Sequence, residues 1–94
     1  MTEGHLYVIT NKSYPGWVKV GITKNLKRRL QTYQTCSPHR DYELVFSVWH
    51  PNAKSAERKI KEMMQMFATN SRNEWYQVDL EVAKVRLEEQ LLEP

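Results

Sequence analysis

Several features that would assign this 94-residue chain to a familiar class are missing from it. There is one cysteine, Cys36, so neither an internal disulfide nor a cysteine-based zinc site can form, and a cytoplasmic protein is expected. No apolar run approaches the roughly 20 residues that span a bilayer. Residues 1–4 lead into a strand-like segment without an apolar signal sequence, so we expect no membrane association.

Common catalytic motifs are also missing. The sequence contains no GxxxxGK[ST], GxGxxG or HExxH pattern, which leaves the usual nucleotide-binding and zinc-protease readings without support. Its three histidines are widely separated, and no pair has the spacing of metal ligands. Any catalytic site must therefore be built from other residue types.

The charge is unevenly distributed along the chain. The net charge is only +3, but residues 1–42 carry seven basic and two acidic groups, whereas residues 43–94 carry seven basic and nine acidic groups. A basic half on a small protein indicates a polyanionic partner such as nucleic acid. A solvated surface that is merely lopsided is the alternative that charge alone leaves open.

The length and composition indicate one globular domain over residues 1–94, with 40% hydrophobic and 27% charged residues. Strands are predicted at 5–10, 17–22 and 43–49, with a short extended segment at 74–78. Residues 69–73 are predicted to be a loop because they include no apolar side chain.

Three helices are predicted between and after these strands from apolar residues at helical spacing. Thr23 or Asn25 caps the first, Asn52 or Ser55 the second and Asp79 the third. The predicted buried stripes are Leu26, Leu30 and Tyr33; Ala56, Ile60, Met63 and Phe67; and Leu80, Ala83, Leu87 and Leu91. The order β-β-α-β-α-(β)-α predicts an α+β fold, with a small antiparallel sheet of about three strands flanked by helices.

Four polar residues differ from the apolar residues around them, and one lies on each of four successive elements. Tyr7 lies in the first strand and Lys19 in the second, while Arg29 and Glu57 border the buried stripes of the first two helices. We expect these four side chains to converge on one groove.

The residues and their spacing resemble the GIY-YIG nuclease superfamily. The resemblance lies in Leu6-Tyr7-Val8, then Lys19-Val20-Gly21 after an eleven-residue gap, then the segment 23–30 that contains Arg29. Downstream, Ser37-Pro38, Glu57 and Glu74-Trp75-Tyr76 resemble its phage-type branch. Lys19 stands where the motif has its second tyrosine, and His5-Leu6 stands where it begins with glycine and isoleucine.

The resemblance implies a metal-dependent endonuclease that hydrolyses DNA phosphodiester bonds. Glu57 would bind Mg²⁺ (or Mn²⁺), Arg29 would stabilise the phosphate and Tyr7 would be the general base. Lys19 would lower the pKa of Tyr7, because an adjacent cation favours the phenolate. Without the resemblance, Glu57 reads as a solvated residue paired with Lys61, four residues along its helix.

The resemblance also implies the residues that contact DNA away from the scissile bond. Flanking phosphates would be bound by Lys12, Lys24, Lys27 and Arg28. Tyr14, Trp17 and Tyr42 are either DNA contacts or core residues; Trp75 and Tyr76 are expected to be structural, and Asn73 and Glu74 to support the site.

The partner would be DNA, with a homodimer or a targeting protein as further options and the host cytoplasm as the location if the chain is viral. The alternative is a catalytically inactive module that binds DNA or protein. Retention of Tyr7, Arg29 and Glu57 together favours the nuclease.

Overall fold

The computed structural model describes residues 3–91. Five strands form one antiparallel sheet in the order β3-β1-β2-β5-β4, and three helices flank it. The elements are β1 (Gly4–Asn11), β2 (Trp17–Thr23), α1 (Leu26–Thr35), β3 (Tyr42–His50), α2 (Ala53–Phe67), β4 (Asn70–Arg72), β5 (Trp75–Gln77) and α3 (Leu80–Leu91). The predicted α+β class is confirmed, but the sheet has five strands rather than about three.

The strand that the sequence did not predict is β4, which lies at the edge of the sheet. Its residues 70–72 are all polar, so they give none of the apolar alternation by which a half-buried strand is recognised. Pairing with β5 specifies β4 instead: Asn70 lies opposite Gln77, and Arg72 lies opposite Trp75. The predicted loop at 69–73 was therefore wrong in its centre.

The main core lies between one face of the sheet and the helices α2 and α3. Inward residues of β1 and β2 supply its sheet side, because alternate strand residues point to the same face. The fully buried residues of this core include Leu6, Val8, Val18, Val20, Ile60 and Leu87. Predicted stripes of α2 and α3 are thus largely confirmed.

Phe67 is the exception among the predicted core residues. It is the last residue of α2 and remains 43% exposed, whereas Met64, one turn after Ile60, is buried. The Arg86 guanidinium of α3 lies 4.7 Å from the centre of the Phe67 ring. Phe67 therefore contributes a stacking surface for Arg86 rather than core volume.

The opposite face of the sheet is covered by α1. Asn25 caps this helix by accepting a hydrogen bond from the Arg28 backbone N–H at 3.0 Å, as one of the two predicted caps. Leu26, Leu30 and Tyr33 line a narrow seam against Tyr7 and Ile9 of β1. Since Tyr7 and Ile9 alternate with the core residues Leu6 and Val8, they face α1 on the other side of the sheet.

Within residues 3–91, no helix has both the length and the apolar character that crossing a membrane requires.

Core truncation gives a direct test of this architecture. Leu87→Ala should lower the free energy of unfolding by about 2–5 kcal/mol, because Leu87 is fully buried and the neighbouring side chains cannot fill the cavity. Val85→Ala, on the same helix but 55% exposed, should change it by less than about 0.5 kcal/mol. Urea denaturation of both variants checks the assignment, and equal losses would contradict it.

Candidate active site

Tyr7 packs directly over Gly21 at the candidate site. They are cross-strand partners in β1 and β2, and the Tyr7 side chain is 2% exposed. A Cβ atom added to Gly21 would lie 2.5 Å from the Tyr7 hydroxyl oxygen and 2.6 Å from its Cζ. The glycine therefore makes room for the tyrosine ring to lie across β2, which explains why this position has no side chain.

The Tyr7 hydroxyl is enclosed by α1. Its oxygen lies 3.0 Å from the Tyr33 hydroxyl oxygen, within hydrogen-bond distance, and the two rings meet edge to face with centroids 6.3 Å apart. Burial raises the pKa of Tyr7 strongly, and the hydrogen bond with Tyr33 raises it further, while the positive charge of Arg29 lowers it. In this state the phenol keeps its proton at neutral pH.

Lys19, expected to lower the pKa of Tyr7, is paired with a carboxylate in the free protein. It lies opposite Ile9, and its Nζ donates a hydrogen bond to Oε2 of Glu74 at 3.2 Å. The pKa of Tyr7 is raised rather than lowered, and Arg29 is the cation whose charge opposes that rise. Burial of the hydroxyl is the main cause of that rise, and the negative charge of Glu74 adds to it.

Arg29 reaches the site from the second turn of α1. Its backbone N–H donates to the Asn25 carbonyl at 3.0 Å, which fixes the helix start. Arg29 lines the seam with Tyr7 and Tyr33 while remaining exposed to solvent, and within residues 3–91 it forms no ion pair. Its neighbour Arg28 is exposed and does not line this seam. The guanidinium of Arg29 is thus available for an anion.

A chain of four charges links β2 to α2. Glu74 lies between two lysines, with Oε2 at 3.2 Å from Lys19 Nζ and Oε1 at 3.4 Å from Lys61 Nζ. Lys61 also lies 3.4 Å from Glu57 Oε2, one turn away on α2. The pairing of Glu57 with Lys61, which the sequence offered as an alternative to metal binding, is therefore present in the free protein.

Strand pairing in the sheet determines that Glu74 is the neighbour of Lys19 in this chain of charges. Lys19 and Trp75 are cross-strand partners, and the Val20 backbone N–H donates to the Glu74 carbonyl at 3.3 Å, so Glu74 lies beside β2. Burial alone would raise the pKa of the Glu74 carboxyl, but the hydrogen bond from Lys19 and the charges of both lysines hold it below its usual range. Glu74 is consequently ionised at neutral pH.

The pKa of Lys61 is shifted in the opposite direction from that of Glu74. Burial alone would lower its pKa, whereas the carboxylates of Glu57 and Glu74 raise it above the usual value. The ammonium therefore remains charged and holds two carboxylates on either side of it. These two oxygen donors, Glu57 and Glu74, are of the kind that suits a hard divalent cation.

The donor set limits what kind of metal site is possible. Within the described part of the chain, no group of three or more His, Cys, Asp or Glu residues is arranged to hold a metal ion. One or two carboxylates are sufficient for Mg²⁺, which usually keeps several waters and also binds substrate phosphates. Glu57 and Glu74 fit that chemistry and do not fit a closed structural zinc site.

The side chains of the predicted phosphate-binding residues are all exposed to solvent. Lys12 is in the connection between β1 and β2, Lys24 precedes α1, and Lys27 and Arg28 are in its first turn. They are exposed to solvent and form none of the ion pairs of the charge chain.

An aromatic groove lies beside the site on the same side of the sheet. It has a volume of about 280 Å³ and is lined by Tyr14, Trp17, Tyr42, Arg72, Asn73 and Trp75. Tyr76, by contrast, is buried in the core on the other face, as the expected structural role requires. Trp75, which was also expected to be structural, borders this groove.

Two important residues were not assigned to the site by sequence reasoning. Tyr33 fits the helical spacing of a core residue, and nothing in that spacing signals its hydrogen bond to Tyr7. Lys61 was noted only as a partner of Glu57, although it also binds Glu74. Glu74 was detectable as part of the Glu74-Trp75-Tyr76 motif.

The contact of Tyr7 with Gly21 predicts a coupled pair of substitutions. Gly21→Ala should destabilise the protein by about 1–3 kcal/mol, because the new methyl overlaps the Tyr7 ring. In a Tyr7→Ala background the same change should have a much smaller effect. A double-mutant cycle by urea denaturation measures the coupling, and equal penalties in both backgrounds would contradict the contact.

The raised pKa of Tyr7 predicts a loss of stability in alkali. The unfolded chain releases this proton near the ordinary pKa of 10.0, whereas the folded protein retains it to higher pH. The stabilisation is therefore complete below about pH 10 and is lost as pH rises further. Above pH 10, stability should fall more steeply in the wild type than in Tyr7→Phe, by up to about 1.4 kcal/mol per pH unit. Chemical denaturation across this range measures both slopes, and parallel slopes would contradict the assignment.

Comparison with known proteins identifies the family of the domain. The model of the T5orf172 domain matches residues 4–90, from the first strand into the last helix. Comparisons with curated proteins and with solved structures gave no match. The T5orf172 domain is phage-associated and occurs in the context of GIY-YIG-like and HNH-like nucleases. Since the match covers nearly all the elements that build the site, the chain belongs to the T5orf172 domain family.

Proposed function

We propose that this protein is a small, divalent-metal-dependent DNA endonuclease with a GIY-YIG-like site. The observation that carries the proposal is the position of Arg29, which forms no ion pair within residues 3–91 and lines the same seam as the buried hydroxyl of Tyr7. The nuclease context of the T5orf172 domain supports it. The substrate would be a phosphodiester bond of DNA.

Arg29 would bind the scissile phosphate. A guanidinium presents several N–H donors in a planar fork that matches two phosphate oxygens, and it stays charged at any pH the protein tolerates. Negative charge increases on the phosphate as water attacks, so a donor held in place by α1 favours the transition state over the ground state. Lysine cannot reproduce this two-point geometry.

Glu57 would be the protein ligand of Mg²⁺ or Mn²⁺, with Glu74 the nearest additional oxygen donor. When bound, the cation would polarise the phosphate and stabilise the leaving oxygen. Lys61 holds both carboxylates near each other in the free protein, at 3.4 Å from an oxygen of each. Its ammonium would have to move aside for either carboxylate to bind a cation.

Tyr7 would act on the attacking water as the general base. Because its pKa is raised by burial, deprotonation requires positive charge near the hydroxyl, and Arg29 already lowers that pKa. Lys19 contributes indirectly in this proposal, by keeping Glu74 beside β2 through their 3.2 Å contact. The nicking rate should therefore rise with pH through the neutral range as the phenolate fraction increases.

The exposed cations would supply affinity without sequence preference. Each contact with a backbone phosphate releases counterions, so binding should weaken as salt increases. This group consists of Lys12, Lys24, Lys27 and Arg28. Few base contacts are needed for such binding, and specificity would come from the structure of the DNA or from a partner.

Nicking of supercoiled plasmid DNA tests the proposed function. The wild type should convert supercoiled to open circular DNA with Mg²⁺ or Mn²⁺ and lose this activity in EDTA. Arg29→Lys and Glu57→Gln should each reduce the rate by about 100-fold or more, as expected for loss of a transition-state contact. Rates are measured by agarose electrophoresis under single-turnover conditions.

Matched controls are available on α3, away from the site. Arg86→Lys and Glu88→Gln make the same chemical changes at exposed positions and should leave the rate unchanged. Metal-dependent nicking that persists in both site variants would contradict the assignment of Arg29 and Glu57. Salt-sensitive DNA binding without any nicking would instead support a binding module.

A further inference from the structure

The aromatic groove has the composition of a binding surface rather than of a core. Four of its lining residues are aromatic, namely Tyr14, Trp17, Tyr42 and Trp75, and none of them belongs to the core cluster on the other face of the sheet. Tyr14 is 51% exposed although it is a large side chain. The groove therefore presents aromatic surface to solvent at a place where burial is not required for folding.

The geometry of the aromatic rings leaves flat faces accessible. Trp75 lies between Tyr14 and Tyr42, with ring centroids 5.6 Å and 6.4 Å away. Tyr14 meets Trp75 edge to face at 70°, whereas Tyr42 is tilted from it by 38°. At about 280 Å³ the groove is close to the lower end of the range for small-ligand sites, which suits one planar heterocycle.

The same rings connect the groove to the candidate active site. Tyr42 lies 5.2 Å from Tyr33 between centroids, and Tyr33 is hydrogen-bonded to Tyr7. A strand whose phosphate lay at Arg29 would thus pass along a row of aromatic side chains. Successive bases of a single strand stack on such rows without sequence preference.

The charges around the groove favour a nucleic acid strand over an uncharged aromatic ligand. Arg72 lines it, and Lys19 Nζ, which is paired with Glu74 at 3.2 Å, lies 5.8 Å from the centre of the Trp75 ring. Among the described residues that line the groove there is no carboxylate. A planar base with an adjacent phosphate fits aromatic faces bordered by cations.

We propose that this groove receives an unpaired nucleobase of the DNA strand next to the scissile phosphate. The inference rests on the proposed function and deepens it by naming the substrate class: DNA that contains unpaired bases, such as a flap, a loop or a bulge. A base inside a duplex is stacked on both sides and cannot enter the groove unless it is first flipped out of the helix.

Equilibrium binding to matched oligonucleotides tests the proposal. The full chain is titrated in EDTA, so that no cleavage occurs, against labelled duplexes that differ at one position: fully paired, with one unpaired base, or with an abasic residue there. The duplex with the unpaired base should bind roughly 10-fold more tightly than the other two, in the range of one stacked base. Quenching of 2-aminopurine at the unpaired position reports the stacking itself.

Variants of the exposed tyrosine show whether the groove is responsible. Tyr14→Leu, which keeps apolar bulk but has no aromatic face, should abolish the preference for the unpaired base, and Tyr14→Phe should retain it. Phe67→Leu removes an exposed aromatic ring from α2, outside the groove, and should have no effect. Equal affinity for the base and the abasic residue, or a preference that survives Tyr14→Leu, would overturn the proposal.

The nicking and binding assays together distinguish failure of the groove proposal from failure of the proposed endonuclease activity. Metal-dependent nicking without a preference for the unpaired base would remove the groove proposal alone. A base-dependent preference without nicking would support the groove and contradict the endonuclease. No binding to any of the three duplexes would contradict both.

Discussion

The contact between Tyr7 and Gly21 is the constraint on which the rest of the candidate site depends. The tyrosine ring lies across the neighbouring strand only because no Cβ stands in its way. In this position its hydroxyl lies under α1, next to that of Tyr33. Arg29 lines the same seam. Burial in turn raises the pKa of the phenol, so the packing that positions Tyr7 also keeps its hydroxyl protonated at neutral pH.

The charge chain of Lys19, Glu74, Lys61 and Glu57 links α2 to β2. Glu57 lies on α2, which packs on the opposite face of the sheet from α1, yet it is connected to β2 through Lys61, Glu74 and Lys19. Partly exposed ion pairs of this kind contribute little stability individually, on the order of 0–1 kcal/mol. Their consequence is positional: Lys61 holds the carboxylates of Glu57 and Glu74 on either side of its ammonium, at 3.4 Å from an oxygen of each.

Local patterns predicted the parts of the fold that depend on local chemistry. Alternation in residues 17–22 correctly assigned the faces of β2, and Asn25, Asn52 and Asp79 cap their helices as expected. The polar strand β4 could not be predicted, because its pairing with β5 determines it. The exposure of Phe67 could not be predicted either, because it depends on α2 ending at that residue. Both are properties of tertiary packing rather than of spacing.

The sequence predicted that four polar side chains share one groove, whereas Tyr7 and Arg29 line the seam under α1 and Glu57 lies with Lys61 on the surface of α2. These four are Tyr7 and Lys19 in the first two strands, and Arg29 and Glu57 at the borders of the buried stripes of the first two helices. The partner of Lys19 was not predictable, since Glu74 follows it by 55 residues and meets it only when β5 pairs with β2. The sequence predicted that Lys19 lowers the pKa of Tyr7, whereas Arg29 is the cation whose charge lowers it in the free protein.

The central claim is that Glu57 and a DNA phosphate share one divalent cation. Electron paramagnetic resonance of Mn²⁺ tests it most directly, because free and bound Mn²⁺ are distinguished without any need for cleavage. We predict that the complex of protein and DNA binds one Mn²⁺ more than DNA alone, that Glu57→Gln abolishes this binding and that Glu88→Gln preserves it. Equal Mn²⁺ binding by the wild type and Glu57→Gln would contradict the account.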